Sequence, residues 1–169
     1  MGAGRTKFVQ VRGYEARRPM ELLDPIDSLL KVKGTHVWSV GPDALVYEAI
    51  ELMAQKRVGV LLVISEDQLV GIISERDYAR KVILEGKSSK ETEVREIMTT
   101  PVISATPQST VAECMRVLTA NNIRHLPVVE NGKVLGVVSL GDLVKWIITA
   151  QAEMIQELGG YFQGPPASW

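Results

Sequence analysis

Apolar and polar positions along the chain predict the same order of elements twice. From Pro42 onward, apolar side chains recur at intervals of three and four residues, which predicts an amphipathic helix. The nearly continuous apolar run Val58–Ile64 is typical of a strand covered on both faces. A polar turn separates it from a second strand at Leu69–Ile73, and a helix over about 76–85 completes the unit.

The second half of the chain predicts this unit again. A helix is expected over 106–120, followed by strands at Ile123–Val129 and Val134–Val138. Between these strands lies Asn131-Gly132, a dipeptide that favours a tight hairpin because both residues tolerate positive φ. A last helix is expected from about 142 to 158, where a pair of glycines would end it.

The two units are copies in sequence as well as in pattern. Val37–Leu84 aligns with Val102–Thr149 without a gap, 65 residues apart, and Gly71–Asp77 falls on Gly136–Asp142. Two copies are too few for a solenoid, so we expect two similar units packed about a pseudo-twofold axis. The fold class predicted is a mixed α/β (α+β) fold, and any site between the units would occur twice.

The repeat also suggests how the chain divides. We predict repeat one at 23–86, and a connector with repeat two at 87–150. Residues 1–22 have no clear periodicity and are predicted to be an N-terminal extension, loosely packed or disordered. Residues 151–169 are predicted to be the end of the last helix and a tail.

Composition and charge exclude several classes of protein. With 46% hydrophobic and 23% charged residues and a net charge of -1, the chain has no overall drive toward nucleic acid or an anionic membrane. No apolar run reaches the ~20 residues of a membrane span. The single cysteine, Cys114, excludes an intrachain disulfide and a cysteine-rich zinc site, and it fits a reducing, cytoplasmic location.

Catalytic motifs are not found in the sequence. His36 and His125 are the only histidines and neither belongs to a recognisable nucleophile–base arrangement. A P-loop and a GxGxxG fingerprint are both missing from the sequence. We therefore expect neither an enzyme nor a metal cofactor.

Several motifs together resemble a known family, the tandem CBS (cystathionine β-synthase) domain pair, or Bateman module. They are the β-α-β-β-α order, the starts Ser39–Pro42 and Ala105–Pro107, and Gly-h-h-Ser-x-x-Asp in both halves, where h is an apolar residue. Val94–Met98 and Ile123–Val129 add to the likeness, which is greatest to stand-alone CBS-pair proteins and covers about 26–149. Ile26–Leu30 matches Val94–Met98 only if about three residues are inserted after it, so contacts at Lys33–His36 cannot be carried over.

The resemblance implies two ligand sites between the repeats. Members of the family bind adenosine ligands such as AMP, ADP, ATP, NAD or S-adenosylmethionine, using the Ser-x-x-Asp of one repeat and strands of the other. Carried over residue by residue, site one would comprise Ser74, Arg76, Asp77, Thr100, Val102, Ile103, Ile123, Arg124, His125 and Pro127. Site two would comprise Val37, Trp38, Val58, Gly59, Val60, Ser139 and Asp142.

The chemistry of these residues fits such a ligand. An ionised aspartate accepts hydrogen bonds from both cis hydroxyls of a ribose, and a serine hydroxyl both donates and accepts. Apolar strand residues form a slot for a flat adenine. Arg76 and Arg124 offer guanidinium groups to phosphate. Only site one would receive the Arg124-His125 pair, because repeat one has Gly59-Val60 there, so we expect the two sites to be unequal.

Simpler interpretations compete with these. Ser-x-x-Asp before an apolar helix is also a capping box, which needs no ligand. His125 could be an ordinary hydrogen-bonded histidine, Arg80-Lys81 a solvated helix face, and Trp38 and Trp146 packing residues.

The function predicted is a non-catalytic regulatory sensor of adenosine ligands that signals to an unknown protein partner through its conformation. The resemblance also implies a homodimer of two modules facing each other as a flat disc. The alternative is a structural or interaction protein with vestigial sites.

Overall fold

The computed structural model describes residues 22–162, with side chains for 22–152. Nearly all of the predicted N-terminal extension, and the tail from 163 onward, lie outside the described residues. The elements in chain order are α1 Ile26–Lys33, β1 Ser39–Val40, α2 Val46–Lys56, β2 Val60–Ser65, β3 Gln68–Ser74, α3 Glu75–Tyr78, a π-helical segment Ala79–Ile83, α4 Val94–Ile97, α5 Val111–Ala120, β4 His125–Glu130, β5 Lys133–Ser139 and α6 Leu140–Phe162.

Both predicted amphipathic helices begin later than the sequence pattern indicated. Predicted from Pro42 and residue 106, they start instead at Val46 and Val111. The N–H of Thr110 donates to Glu113 Oε2 at 2.8 Å, and the N–H of Glu113 donates back to Thr110 Oγ1 at 3.2 Å. This capping box sets the true start, because it satisfies N–H groups that have no partner within the helix.

The two prolines that precede these helices serve a different purpose. The carbonyl of Pro42 accepts the N–H of Arg95, and that of Pro107 accepts the N–H of Asp27. Each turn therefore binds the start of a short helix that leads into the other repeat.

The sheets follow the same plan in both repeats with one difference. β1 pairs parallel to β2, which pairs antiparallel to β3, whereas β4 pairs antiparallel to β5 and meets its leading strand only at the bridge Ala105–Val128. In repeat one, the N–H of Leu62 donates to Trp38 O at 3.1 Å. Pro127 stands at the position of Leu62 and has no N–H, which explains the shorter pairing.

The hairpin turns match the sequence prediction. Asn131 and Gly132 have φ values of 51° and 79°, as expected for the Asn-Gly turn. The corresponding turn of repeat one has the same conformation without glycine, at Glu66 and Asp67, with φ values of 48° and 60°.

The helices that precede the two repeats, α1 and α4, are called the leading helices here. Each packs into the core of the repeat that it does not precede. Ile26, Leu29 and Leu30 of α1 are buried among residues of repeat two, whereas Val94 and Ile97 of α4 are buried among residues of repeat one. Each core is thus completed by a helix that lies next to the other repeat in sequence.

Two glycines make room for these helices. A Cβ at Gly71 would collide with the Met98 side chain, and one at Gly136 would lie 2.8 Å from Leu30 Cδ2. The alignment of Ile26–Leu30 with Val94–Met98 is therefore also a spatial equivalence. The glycines of the repeated Gly-h-h-Ser-x-x-Asp motif serve packing.

The helices after the motif differ from prediction. The helix expected at 76–85 is a single α-helical turn followed by the π-helical segment. α6 begins at Leu140, directly after Ser139, and continues through Gly159 and Gly160 to Phe162, so the predicted end at 158 was wrong. Glycine costs a helix only about 1 kcal/mol per residue, which is not enough to end it by itself.

Candidate functional site

The two Ser-x-x-Asp segments adopt the same local structure. In repeat one, the N–H and Oγ of Ser74 donate to Asp77 Oδ2 at 3.0 and 2.6 Å. In repeat two, the N–H and Oγ of Ser139 donate to Asp142 Oδ2, both at 2.7 Å. In both, the aspartate N–H donates to the serine Oγ at 3.2 Å, so the capping interpretation is confirmed at both positions. A cap does not exclude a ligand contact, because a carboxylate has four acceptor positions.

Asp77 also faces the segment that leads into repeat two. Thr99 Oγ1 donates to Asp77 Oδ1 at 3.2 Å, and Thr99 is bridged through its backbone to Ile72 of β3. Lys81 Nζ lies 2.9 Å from the same Oδ1 and donates to Ile97 O at 2.6 Å. The carboxylate therefore lies between repeat one and residues 97–99.

These contacts govern the charge on Asp77. Burial alone would raise the pKa of its carboxyl group, but hydrogen bonds from Ser74 and Lys81 and the positive charge of Lys81 outweigh that effect and lower the pKa below its ordinary value. Asp77 is consequently an anion at neutral pH, the state that accepts two hydroxyl donors.

Asp142 contacts α1, the helix that precedes repeat one in sequence and packs in the core of repeat two. Lys33 Nζ, at the last residue of α1, lies 2.5 Å from Asp142 Oδ2 and donates to Val137 O of β5 at 2.8 Å. Burial again would raise the pKa of the Asp142 carboxyl group, and hydrogen bonds from Lys33 and Ser139 with the charge of Lys33 lower it instead.

His125 lies at the start of β4, where it pairs with Ser139 in the sheet. Burial lowers the pKa of His125, and the charges of Lys33 and Arg124 lower it further against the opposing charge of Asp142. The imidazole is therefore neutral at pH 7. The charges that act on it include Asp142 of site two, although the resemblance assigned His125 to site one.

The segment that precedes β4 contacts both motifs. Arg76 Nη1 donates to Asn122 O at 3.3 Å, and the N–H of Leu140 donates to Arg124 O at 2.9 Å. Of the other residues expected in site one, Arg76, Thr100, Ile103 and Arg124 are exposed, Val102 and Ile123 are half-buried, and Pro127 is buried in β4. The structure thus brings Asn122 of repeat two to Arg76, which lies beside Asp77 in sequence.

The strand residues expected in site two pack against repeat one, to which they themselves belong. Trp38 packs partly against the core of repeat one, with the His36 ring edge-on at 4.2 Å and Lys56 Nζ 4.3 Å from the Trp38 ring centroid. A Cβ at Gly59 would lie 3.1 Å from Glu75 Oε2, so the Glu75 carboxylate occupies much of the space beside this glycine. Val37, Val58 and Val60 are half-buried.

Two open cavities lie elsewhere on the described surface. One of about 550 Å³ lies between α2 and the connector, beside Tyr47, Tyr78 and Lys90. Another of about 560 Å³ lies beside His36, Ile64 and Val134. Asp77 and Asp142 line neither of these two cavities.

Sequence reasoning missed three residues at these carboxylates. Lys81 was interpreted as part of a solvated face, Thr99 was not singled out, and Lys33 fell in the stretch where the repeats do not align. The spacing of Asp77 and Lys81, four residues apart on a predicted helix, was an available signal for the first. Among the residues that the structure describes, there is no cluster of histidine, cysteine and carboxylate side chains that could hold a metal ion. A helix long and apolar enough to cross a membrane is likewise missing from the described part of the chain.

Comparison with known proteins identifies the family. The family model of the CBS domain matches residues 31–83 and 94–149. The chain is 41% identical over 136 residues to the mitochondrial CBS domain-containing protein CBSX3 of Arabidopsis thaliana, covering 78% of this chain and 66% of that protein, slightly under two thirds of its length. It is 33% identical to the CBS domain-containing protein YhcV of Bacillus subtilis, covering 64% of this chain and 77% of that protein.

Solved structures agree with this. A CBS-domain protein of Burkholderia ambifaria, described as a signal-transduction protein, superposes with a TM-score of 0.71 at 40% identity, over 86% of this chain and 100% of the other. A CBS-domain protein of Agrobacterium tumefaciens superposes with a TM-score of 0.68 at 35% identity, over 72% and 98% of the two chains. The chain belongs to the CBS domain family and carries two CBS domains, a regulatory module, and the predicted mixed α/β fold is confirmed.

Proposed function

We propose that this protein is a non-catalytic regulatory module that binds adenosine ligands in two clefts between its CBS repeats. The observation that carries the proposal is that each Ser-x-x-Asp carboxylate meets the leading segment of the other repeat, Asp77 at Thr99 and Asp142 at Lys33. Each of these segments packs in the core of the repeat that carries the carboxylate and then continues into the other repeat, so a ligand bound there would favour one path of the chain between the repeats. A partner protein could then detect that conformation.

We assign the residues of the two sites as the family resemblance implies. In site one, Asp77 would accept the ribose hydroxyls and Arg76 and Arg124 would face phosphate. In site two, Asp142 and Ser139 would hold the ribose. Ionised carboxylates suit this role, and the lowered pKa values of Asp77 and Asp142 support it.

A distant structural relative supports the ligand class. The CBS domain pair of the protein MJ0100, 24% identical to this chain with a TM-score of 0.66, was solved in complex with 5′-methylthioadenosine and S-adenosyl-L-methionine. Both molecules contain adenine and ribose, the parts that a ribose-binding aspartate and an apolar slot would recognise. AMP, ADP, ATP and NAD share these parts, so all are candidate regulatory ligands.

The test is thermal unfolding with AMP, ATP, NAD, S-adenosylmethionine and GTP. A ligand at 100 times its dissociation constant stabilises the folded state by about 2.7 kcal/mol, which gives a shift of a few degrees for a chain of this size. We expect such shifts with adenine compounds and none with GTP. Equal shifts with GTP, or no shift with any adenosine compound, would contradict the proposal.

A structural protein with vestigial sites is the second candidate. The observation that favours it is that both motifs form complete capping boxes, which stabilise helices without a ligand. Mass spectrometry of small molecules released from the purified protein separates the candidates, because a retained adenosine compound is expected only for the sensor.

We also propose that the module forms homodimers. Leu140, Val144 and Ile148 lie four residues apart on α6 and are 36%, 40% and 60% exposed, which places an apolar stripe on one face of the helix. A twofold axis would allow this stripe to meet its own copy. The CBS-CP12 protein of bloom-forming cyanobacteria, 27% identical, is hexameric, so light scattering must distinguish two copies from six. A monomer at tens of micromolar protein would contradict self-association.

We also propose that the protein is located in the cytoplasm. A reducing cytoplasm fits the lone buried cysteine, whose thiol pKa burial raises to about 11, so that it is unreactive. One relative, CBSX3, is named as mitochondrial. Fractionation of cells that express the tagged protein would decide between the two compartments.

A further inference from the structure

The cavity between α2 and the connector, residues 86–93, is separate from the two Ser-x-x-Asp carboxylates. Its volume of about 550 Å³ is within the range of small-molecule sites. Backbone hydrogen bonds hold its walls together, because the N–H of Lys87 donates to Val82 O and the N–H of Tyr47 donates to Ser89 O, both at 3.0 Å. The connector is therefore tied to the π-helical segment and to the start of α2.

The aromatic part of this cavity belongs to repeat one alone. Tyr47 of α2 and Tyr78 of α3 line it, and at the offset of 65 residues they correspond to Ala112 and Leu143 in repeat two. The repeat can thus be built with alanine and leucine at these two positions. The connector has no counterpart either, because α6 continues as a helix where repeat one turns away. The two tyrosines and the connector therefore form a cavity that the repeated fold does not itself require.

Two opposite charges line the cavity without neutralising each other. Lys90 Nζ lies 5.1 Å from the centroid of the Tyr47 ring, and Glu51 follows Tyr47 by one helical turn on the same face of α2. Among the described residues, neither Lys90 nor Glu51 takes part in an ion pair, whereas Lys87, which also lines the cavity, lies 2.9 Å from Glu85 Oε2. An ammonium group and a carboxylate are thus both available beside one aromatic ring.

We propose that this cavity binds a small zwitterion with an aromatic side chain, which is the chemistry of an aromatic α-amino acid. Lys90 and the Ser88 hydroxyl bind its carboxylate, and Glu51 binds its ammonium group. Tyr47 and Tyr78 provide apolar ring faces for its side chain. A ligand with one charge would neutralise only one of the two ions, whereas a zwitterion neutralises both. The proposal goes beyond the adenosine clefts and does not depend on them.

An NMR titration of the connector amides with phenylalanine and three analogues tests each part of the ligand. Phenethylamine lacks the carboxylate, 3-phenylpropionate lacks the ammonium group, and alanine lacks the ring. We expect phenylalanine to bind wild-type protein about three- to tenfold more tightly than each analogue. Alanine or either singly charged analogue binding as tightly as phenylalanine would overturn the proposal, as would no binding of phenylalanine.

Substitutions of the two charged residues should have opposite selectivity. Lys90→Met should weaken phenylalanine and 3-phenylpropionate about three- to tenfold and leave phenethylamine unchanged. Glu51→Gln should weaken phenylalanine and phenethylamine by a similar factor and not weaken 3-phenylpropionate. Tyr47→Ala, which introduces the residue of repeat two, should weaken all three ring compounds. Lys145→Met and Glu66→Gln, at exposed positions elsewhere, are the matched controls and should change none of these affinities.

Equal weakening of all three ring compounds by Lys90→Met or by Glu51→Gln would overturn the proposal, because the charges would then not contact the ligand. The double variant Asp77→Asn, Asp142→Asn should bind phenylalanine as wild-type protein does. Loss of phenylalanine binding in that variant would place the ligand in the clefts and would also overturn the proposal. Phenylalanine binding by a protein that binds no adenosine compound would support this inference and contradict only the proposed function.

Discussion

The two Ser-x-x-Asp segments share one backbone arrangement and differ in where their cation comes from. Asp77 is paired with Lys81, which lies four residues later in the same repeat. Asp142 is paired with Lys33, which belongs to the leading helix of the other repeat. Because α1 is packed in the core of repeat two, both pairs lie within one packed unit, although only the pair at Asp142 joins residues more than one hundred positions apart in sequence. Duplication has preserved the cap, while the side chains around it have diverged.

The residue that follows the aspartate by four positions also differs between the repeats. Trp146 stands at the repeat-two position of Lys81, and its Nε1 donates to Asp24 Oδ2 at 3.3 Å, just before α1. The same position of the repeat therefore carries Lys81, which contacts α4, in repeat one. In repeat two it carries Trp146, which contacts the chain just before α1. The equivalent of Lys81 is unable to neutralise Asp142, and Lys33 supplies the charge instead.

The largest effect is expected where the leading helices enter the cores. Leu29 and Ile97 are equivalent, 3% and 1% exposed, and each fills the core of the other repeat. Leu29→Ala and Ile97→Ala should each lower the free energy of unfolding by about 3 kcal/mol, through lost apolar burial and the cavity left behind. Denaturant titration measures the loss.

Hydrogen exchange tests this comparison further, because the two substitutions should destabilise opposite repeats. Leu29→Ala is expected to speed exchange in β4 and β5, and Ile97→Ala in β2 and β3. Val32→Ala, at an exposed position of α1, serves as the control and should change stability little. Faster exchange confined to the repeat that contains the substitution would show that the cores are not exchanged.

The second largest effect is expected at Arg124, which only site one would contain. If Arg124 faces phosphate in site one, Arg124→Ala should weaken AMP binding there about tenfold or more and leave adenosine much less affected. Calorimetry in an Asp142→Asn background restricts the measurement to site one. Arg116→Ala, on the exposed surface of α5, is the control for the loss of a positive charge. Equal weakening of adenosine and AMP would make Arg124 a structural residue.

The smallest effect is the acid dependence of stability. The pKa values of Asp77 and Asp142 are lower in the folded state than in the unfolded chain, so their contribution is present above the unfolded value and is lost as pH falls below about 4. Lys81→Met should reduce this loss through Asp77 alone, and Lys33→Met through Asp142 alone. Denaturant titrations from pH 6 to pH 3 measure both. An acid dependence that neither substitution changes would mean that the lysines do not lower these pKa values.

Much of this architecture could be predicted from the sequence because it depends on local or repeated features. The 65-residue offset predicted two equivalent units, and the structure places Val40–Val63 and Ala105–Val128 in the same pairing. The Asn131-Gly132 turn was also correctly predicted, and the serine caps were recognised as a competing interpretation, since a turn or a cap depends on residues only three or four apart. The late start of α2 and α5 was the local error, because Pro42 and Pro107 suit a first helical turn as well as the loop that they form.

The exchange of leading helices and the choice of cations required the tertiary structure. Nothing in the spacing of Ile26–Leu30 indicates that it packs under Gly136, because an apolar helix face carries no record of which sheet will cover it. Lys33 lay in the interval where the repeats do not align, so equivalence assigned it no role. The sequence determined the two carboxylates and the helices that they cap. Folding decided which lysine meets each of them, because that depends on the length of α1 and on the packing of one repeat against the other.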